Sequence, residues 1–154
     1  MDGAAPRGLG EIGLTNFAPY LMNRIMGRYN AGFREELAEL GLTTPKARAL
    51  AVLSVVEAPL VGELAVYTVT EQSTLSRALD QLQAEGLILR ETDATDSRAV
   101  RIRITDAGRA VFADLWPHMH EAEDRMFRDI PAGERQAFLS TLQKMLVNIR
   151  KHEI

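Results

Sequence analysis

Two stretches of this sequence place cations and short polar groups where they could grip a polyanion. The first is Gln72-Ser73-Thr74-Leu75-Ser76-Arg77. At about 100° per residue along a helix, Leu75, Ala78, Leu79 and Leu82 gather on one side. Ser73, Ser76, Arg77 and Asp80 gather on the other, with Gln72 and Thr74 on the N-terminal flank. Hydroxyls and amides reach phosphates and base edges, and a guanidinium meets the two acceptors of guanine side by side. Gln72, Ser73, Thr74, Ser76 and Arg77 are therefore the candidates for major-groove contact. The second stretch is Asp96-Ser97-Arg98 with the alternating run Val100-Arg101-Ile102-Arg103-Ile104. A period of two sends Val100, Ile102 and Ile104 to a core and Arg101 and Arg103 to the opposite face of a strand. With Arg98 in the loop before it, this is a hairpin tipped and lined with cations.

Other groupings offer less. His118 and His120 flank Met119 near Glu121, Glu123 and Asp124, but residues two apart on a helix point about 200° from each other, the wrong spacing for shared metal ligation. Solvated or interface histidines are the expectation, with no metal and no cofactor. Asp93 and Asp96 form a loop pair without a base or pocket, so wing bracing is expected of them rather than hydrolysis. Trp116 could line a small-molecule pocket, but burial between subunits is the reading adopted. There is no Gly-rich phosphate loop, no G-x-S-x-G and no H-E-x-x-H. An enzyme is not expected.

The elements that must position these residues can be read on either side of them. From Leu14 to Leu40 the apolar residues Leu14, Phe17, Leu21, Ile25, Tyr29, Phe33, Leu37 and Leu40 fall three or four apart, which predicts one amphipathic helix. At 1.5 Å per residue it would run about 39 Å, too long to be covered by one small lobe, so a partner chain is the expected cover. Residues 1–10 read as a flexible arm. After Gly41, Thr44-Pro45 predicts a cap and first position for a helix over 46–56. A short helix over 62–67, the turn Thr68-Val69-Thr70 and a helix over 71–85 ending at Gly86 follow. Two strands flank the polar loop. Thr105 caps a helix carrying Leu115, Trp116 and Met126, with Pro117 expected to kink it. Pro131 opens a last helix striped by Phe138, Leu142, Met145 and Ile149. The fold class is mainly α with a small β-wing: a winged helix-turn-helix lobe over 43–108, between an N-terminal arm and helix over 1–42 and C-terminal helices over 109–154.

Composition adds bounds. The chain has 154 residues, no cysteine and a formal net charge of −3. Disulfides and thiolate chemistry are excluded. No apolar run approaches the ~20 residues of a membrane span, and the N-terminus lacks a signal-peptide core. A cytoplasmic, nucleoid-associated protein is expected. Residues 43–108 hold seven cations against nine anions. Five of the seven, Arg77, Arg90, Arg98, Arg101 and Arg103, lie on the polar helix or in the hairpin. What counts is potential within a Debye length of about 8–10 Å. The expectation is a basic face on an acidic body, with weak non-specific DNA binding at physiological salt.

The region from Leu42 to Gly108 resembles the MarR/SlyA group of bacterial winged-helix transcription regulators. The matching pieces are L-T-T-P-K-A-R-A-L, S-T-L-S-R-A-L-D-Q-L-Q-A-E-G-L-I and D-S-R-A-V-R-I-R-I-T-D-A-G. Asp96, Arg98, Thr105 and Gly108 fit the family's wing signature, with Ile104 in the place of its Leu. The resemblance implies a homodimer whose terminal helices form a base, with Leu14, Phe17, Leu21, Trp116, Phe138, Leu142, Met145 and Ile149 at the interface. It implies Arg98 in the minor groove, Asp96 bracing the wing by pairing with an Arg, and Arg101 and Arg103 on the DNA side. Two lobes on a two-fold axis imply a pseudo-palindromic operator with half-sites ~10 bp apart. A repressor is expected, released by a small aromatic or phenolic effector bound between base and lobes. The competing readings are a winged helix used for protein contact, which the negative charge favours, and an enzyme.

Overall fold

The computed structural model describes residues 5–154. Seven helices and a two-stranded antiparallel sheet follow one another as α1 (Leu9–Ile12), α2 (Ala18–Glu39), α3 (Thr44–Leu53), α4 (Val61–Thr68), α5 (Gln72–Ala84), β1 (Ile88–Thr92), β2 (Val100–Ile104), α6 (Asp106–Met126) and α7 (Ala132–Ile149). This is the expected class, mostly helical with a small wing.

The N-terminal portion differs from the sequence reading. The arm expected over 1–10 is in part the short helix α1, and residues 1–4 lie outside the described residues. The single helix expected from Leu14 to Leu40 is divided: Leu14–Asn16 form a 3-10 turn, Phe17 is extended, and α2 starts at Ala18 with Pro19 in its first turn. Proline is pre-set for that position because the missing N–H would have had no helical partner anyway. The apolar spacing of the sequence continues across this break and so does not mark it. Helix α3 is capped one residue earlier than expected, by Thr43, and closes at Leu53 rather than Val56. There the Ser54 hydroxyl donates to the Ala51 carbonyl at 2.6 Å, a local bond that competes with helix continuation.

Helices α3, α4 and α5 pack around Leu50, Leu64, Leu75, Leu79 and Leu82, each fully buried, and Ile88, Ile102 and Leu115 close the core from the sheet and from α6. Each such side chain contributes roughly 1.5–3 kcal/mol relative to exposure. The strands pair from Ile88↔Ile104 to Thr92↔Val100. The alternation read from sequence holds, with Ile102 buried and Val100 and Ile104 packed against the core. A third segment joins the sheet: Leu60 bridges Arg101, and the Ile102 amide donates to the Pro59 carbonyl at 3.0 Å.

Two glycines fix the joints. Gly86, after α5, has φ +74, the left-handed conformation that ends helices. Gly108 sits in the first turn of α6, where a Cβ would stand 2.2 Å from the Leu87 carbonyl oxygen and 2.8 Å from Ile104 Cγ1. Thr105 caps that helix by accepting from the Gly108 amide at 3.0 Å, and its hydroxyl donates to the Gly86 carbonyl at 2.7 Å. Helix α6 runs through Pro117 without ending. Helix α7 has no buried residue.

Candidate nucleic-acid interface

Helix α5 is held by its apolar side. Leu75, Ala78, Leu79 and Leu82 are buried, and Gln72, Ser73, Thr74, Ser76 and Arg77 are exposed. Among the described residues, none of these five side chains is engaged in a hydrogen bond or ion pair. Two ion pairs fix the angle at which the helix is presented. Lys46 of α3, only 5% exposed at its side chain, meets Glu85 at 2.6 Å. Arg90 of β1 meets Asp80 at 2.8 Å, donates to Gln83 Oε1 at 2.8 Å and reaches the Ser76 carbonyl at 3.4 Å. The wing and the helix are thus tied to each other as well as to the core.

The wing loop is organised around Asp93. Its Oδ2 accepts from the Thr95 hydroxyl at 2.7 Å and from the Thr95 and Asp96 amides at 3.1 Å each. Its Oδ1 accepts from Arg101 Nε. The Thr95 hydroxyl first, and then the Arg101 guanidinium, hold this carboxyl far below the usual carboxylate range. Each bond favours the ionised form. Arg101 also donates to the Ala58 carbonyl at 2.8 Å, which joins the wing to the turn before α4.

These contacts bear on three of the expected wing residues. Arg101 is half-buried and bonded inside the lobe. Arg103 is held by Glu91 at 2.7 Å and Glu57 at 3.3 Å, and these carboxylates push its guanidinium pKa up. Asp96 does meet an Arg: its Oδ1 accepts from the Arg98 amide at 3.0 Å and lies 3.4 Å from Arg98 Nε. Asp93 makes the larger set of bracing bonds. The basic face expected from five cations reduces to Arg77 and Arg98, and Arg98 is 91% exposed at the hairpin tip. Bracing is expected from sequence of Asp93 and Asp96 together; the parts played by Lys46 and Arg90 are not read from it. The D-A-T-D spacing is an available signal for Asp93, because Asp side chains bond amides two and three residues on. Nothing local marks the other two, whose partners are 39 and 10 residues away along the chain.

Away from the lobe, the expected interface residues Leu14, Phe17, Leu21, Trp116, Phe138 and Ile149 are exposed large hydrophobics, with Leu142 and Met145 partly covered. His118 Nδ1 lies 3.4 Å from Glu36 Oε2, and His120 Nδ1 lies 3.4 Å from Asp124 Oδ2. The two imidazoles have separate partners. Among the described residues no helix is long and apolar enough to cross a membrane.

Known proteins share this arrangement. Residues 40–99 match the model of the MarR family. A MarR-family transcriptional regulator from Silicibacter pomeroyi superposes with a TM-score of 0.91 at 61% identity, over 96% of this chain and all of that one. A structure of Bordetella bronchiseptica BpsR, whose DNA binding is regulated by 6-hydroxynicotinic acid, superposes with a TM-score of 0.72 at 25% identity, over 83% of this chain and 97% of that one. The HTH-type transcriptional repressor IacR of Pseudomonas putida is 22% identical over 139 residues, 90% of this chain and 83% of its own. The braced wing, the unengaged polar face of α5 and near-complete coverage at 61% identity lead to one assignment: the chain belongs to the MarR family of winged-helix transcriptional regulators.

Proposed function

We propose that this regulator is a sequence-specific repressor that binds a pseudo-palindromic operator as a homodimer and releases it on binding a small aromatic or phenolic effector. The observation that carries the DNA reading is the pairing pattern of its cations. Arg90, Arg101 and Arg103 are each held by carboxylates within the lobe, whereas Arg77 has no ion pair among the described residues and the tip residue Arg98, 91% exposed, has only the 3.4 Å contact to Asp96. A wing that holds its own arginines and offers one guanidinium at its tip suits insertion into a narrow, A·T-rich minor groove, where negative potential is deepest. Gln72, Ser73, Thr74, Ser76 and Arg77 then face the adjacent major groove.

The exposed apolar residues support the dimer. Leu14, Phe17, Leu21 and Ile25 at one end of the chain and Phe138 and Ile149 at the other are between 39% and 78% exposed, a patch that suits an interface between copies. A cavity of about 520 Å³ between α2, α3 and α6 supports the effector. Tyr29, Phe33, Tyr67 and Met119 supply apolar and aromatic surface there, Tyr29 and Phe33 stack at 5.7 Å, and Arg48 is the cation on the wall. Burial first, and then nearby Glu123, raise the Tyr29 pKa, so its phenol stays a donor at neutral pH. BpsR, regulated by 6-hydroxynicotinic acid, responds to a ligand of that chemistry.

The test is an electrophoretic shift series on the fragment this protein enriches from genomic DNA. Arg98→Ala should weaken binding by about 1–3 kcal/mol, the usual value of a good groove contact. Arg98→Ala binding like the wild type would refute the wing assignment, and a monomer in dilute solution would refute the dimer.

A further inference from the structure

The segment after α7 does not continue along the helical base. His152 and Ile154 share a recess of about 600 Å³ with Val66 of α4 and with Thr70, Glu71 and Gln72 at the start of α5. Ile154 is half-buried there, while residues 150–153 are exposed and Ile149 is 78% exposed. The segment is therefore anchored by Ile154 and not by the end of the helix. Arg150 Nη1 donates to the Glu153 carbonyl at 2.7 Å, which bends the tail back on itself. Lys151 has no ion pair among the described residues.

This placement bears on the charge deficit of the lobe. Residues 43–108 carry more anions than cations, and most of the cations are consumed in internal pairs. Glu71, at the edge of the recess, adds an exposed carboxylate beside Gln72. Arg150 and Lys151 are exposed immediately before His152, which lines the recess. We propose that the Arg150-Lys151 tail is part of the DNA-facing surface, with its cations on backbone phosphates flanking the groove that α5 enters. The proposal rests on the DNA-binding reading above. Contacts of this kind add affinity and salt dependence but no sequence discrimination.

The experiment compares wild type, the double variant Arg150→Ala/Lys151→Ala, and Ile154→Ser, each in its full chain and checked by circular dichroism for helix content. Probes are the genomic fragment enriched by the wild type and a random-sequence duplex of equal length, titrated between 50 and 200 mM salt. Each phosphate contact contributes about 0.9 to the slope of log K against log salt. The double variant should lose up to about 1.8 of that slope and roughly tenfold in affinity at 100 mM salt, equally on both probes. Ile154→Ser, which frees the anchor and keeps both cations, should fall between the two. Unchanged slope and affinity in the double variant would overturn the proposal and leave the DNA reading intact, as would tighter binding, which marks the tail as an obstruction. Absence of any duplex binding by the wild type would overturn both.

Discussion

Gly108→Ala puts the joint between wing and α6 under direct test. The new methyl would meet the Leu87 carbonyl oxygen at 2.2 Å and Ile104 Cγ1 at 2.8 Å. Ordinary contact needs about 3.4 Å, so the Leu87 carbonyl has to retreat by roughly 1 Å. It cannot retreat freely, because it accepts the Thr105 amide at 3.1 Å. Crowding of this kind costs about 1–3 kcal/mol, and a weakened backbone bond adds about 0.5–1.5. Against this, alanine narrows the unfolded ensemble by about 0.4–1 kcal/mol. The net expectation is a loss of about 1–3 kcal/mol, or a fall in Tm of roughly 3–10 °C for a chain of this size. Two other glycines are controls. Gly86 has φ +74 and nothing within 4 Å of a built Cβ, so Gly86→Ala carries backbone strain alone, about 1 kcal/mol. Gly62 also has nothing within 4 Å and lies in α4, so Gly62→Ala should be neutral or stabilising. Thermal and urea unfolding of the three variants read the order directly. Gly108→Ala at or above wild-type stability, or Gly62→Ala falling as far, would refute the close-approach argument.

Further outcomes follow from the two braces. Asp93 has a folded-state pKa well below its unfolded value near 3.9. Its contribution is therefore complete above about pH 4 and is lost only as pH falls through the lowered value. The Tm difference between wild type and Asp93→Asn should stay constant from pH 8 to about pH 5 and shrink in stronger acid; a difference that instead vanishes above pH 6 would contradict the brace. Lys46 is nearly enclosed and Glu85 is 47% exposed. Glu85→Ala leaves a buried ammonium without its partner and should cost about 1–3 kcal/mol after allowing for solvent at the carboxylate. Lys46→Met removes the charge and keeps the volume, so denaturant midpoints should place it near the wild type and above Glu85→Ala.

Much of the fold is legible because the local rules agree. Gly86 and Thr105 punctuate the lobe where helix-capping chemistry says they should, and Val100–Ile104 alternates as a half-buried strand must. The break at Phe17 is less visible, since the apolar residues Leu14, Phe17, Leu21 and Ile25 keep in sequence the three-or-four spacing that predicts a helix. Of the site, the polar face of α5 could be read from one helical wheel. The fate of the wing arginines could not: strand alternation says which face Arg101 and Arg103 occupy, not that Ala58 and Glu57, more than 40 residues earlier, meet them there. A cation in sequence is a charge; whether it is free is decided by the tertiary fold.

Helix α7 spans 18 residues and buries none of them fully within its own chain; Leu139, Leu142 and Met145 are only partly covered. A helix so thinly covered gains little of the tertiary packing from which most helical stability comes. On the dimeric reading, its order is supplied by a second copy, so its stability follows protein concentration by mass action. Dilution would loosen this end of the molecule before the winged lobe melts, and the Arg150-Lys151 tail would lose its seat with it. How much protein is present and how firmly it holds its target would then be coupled through one helix that touches neither the wing nor the reading face.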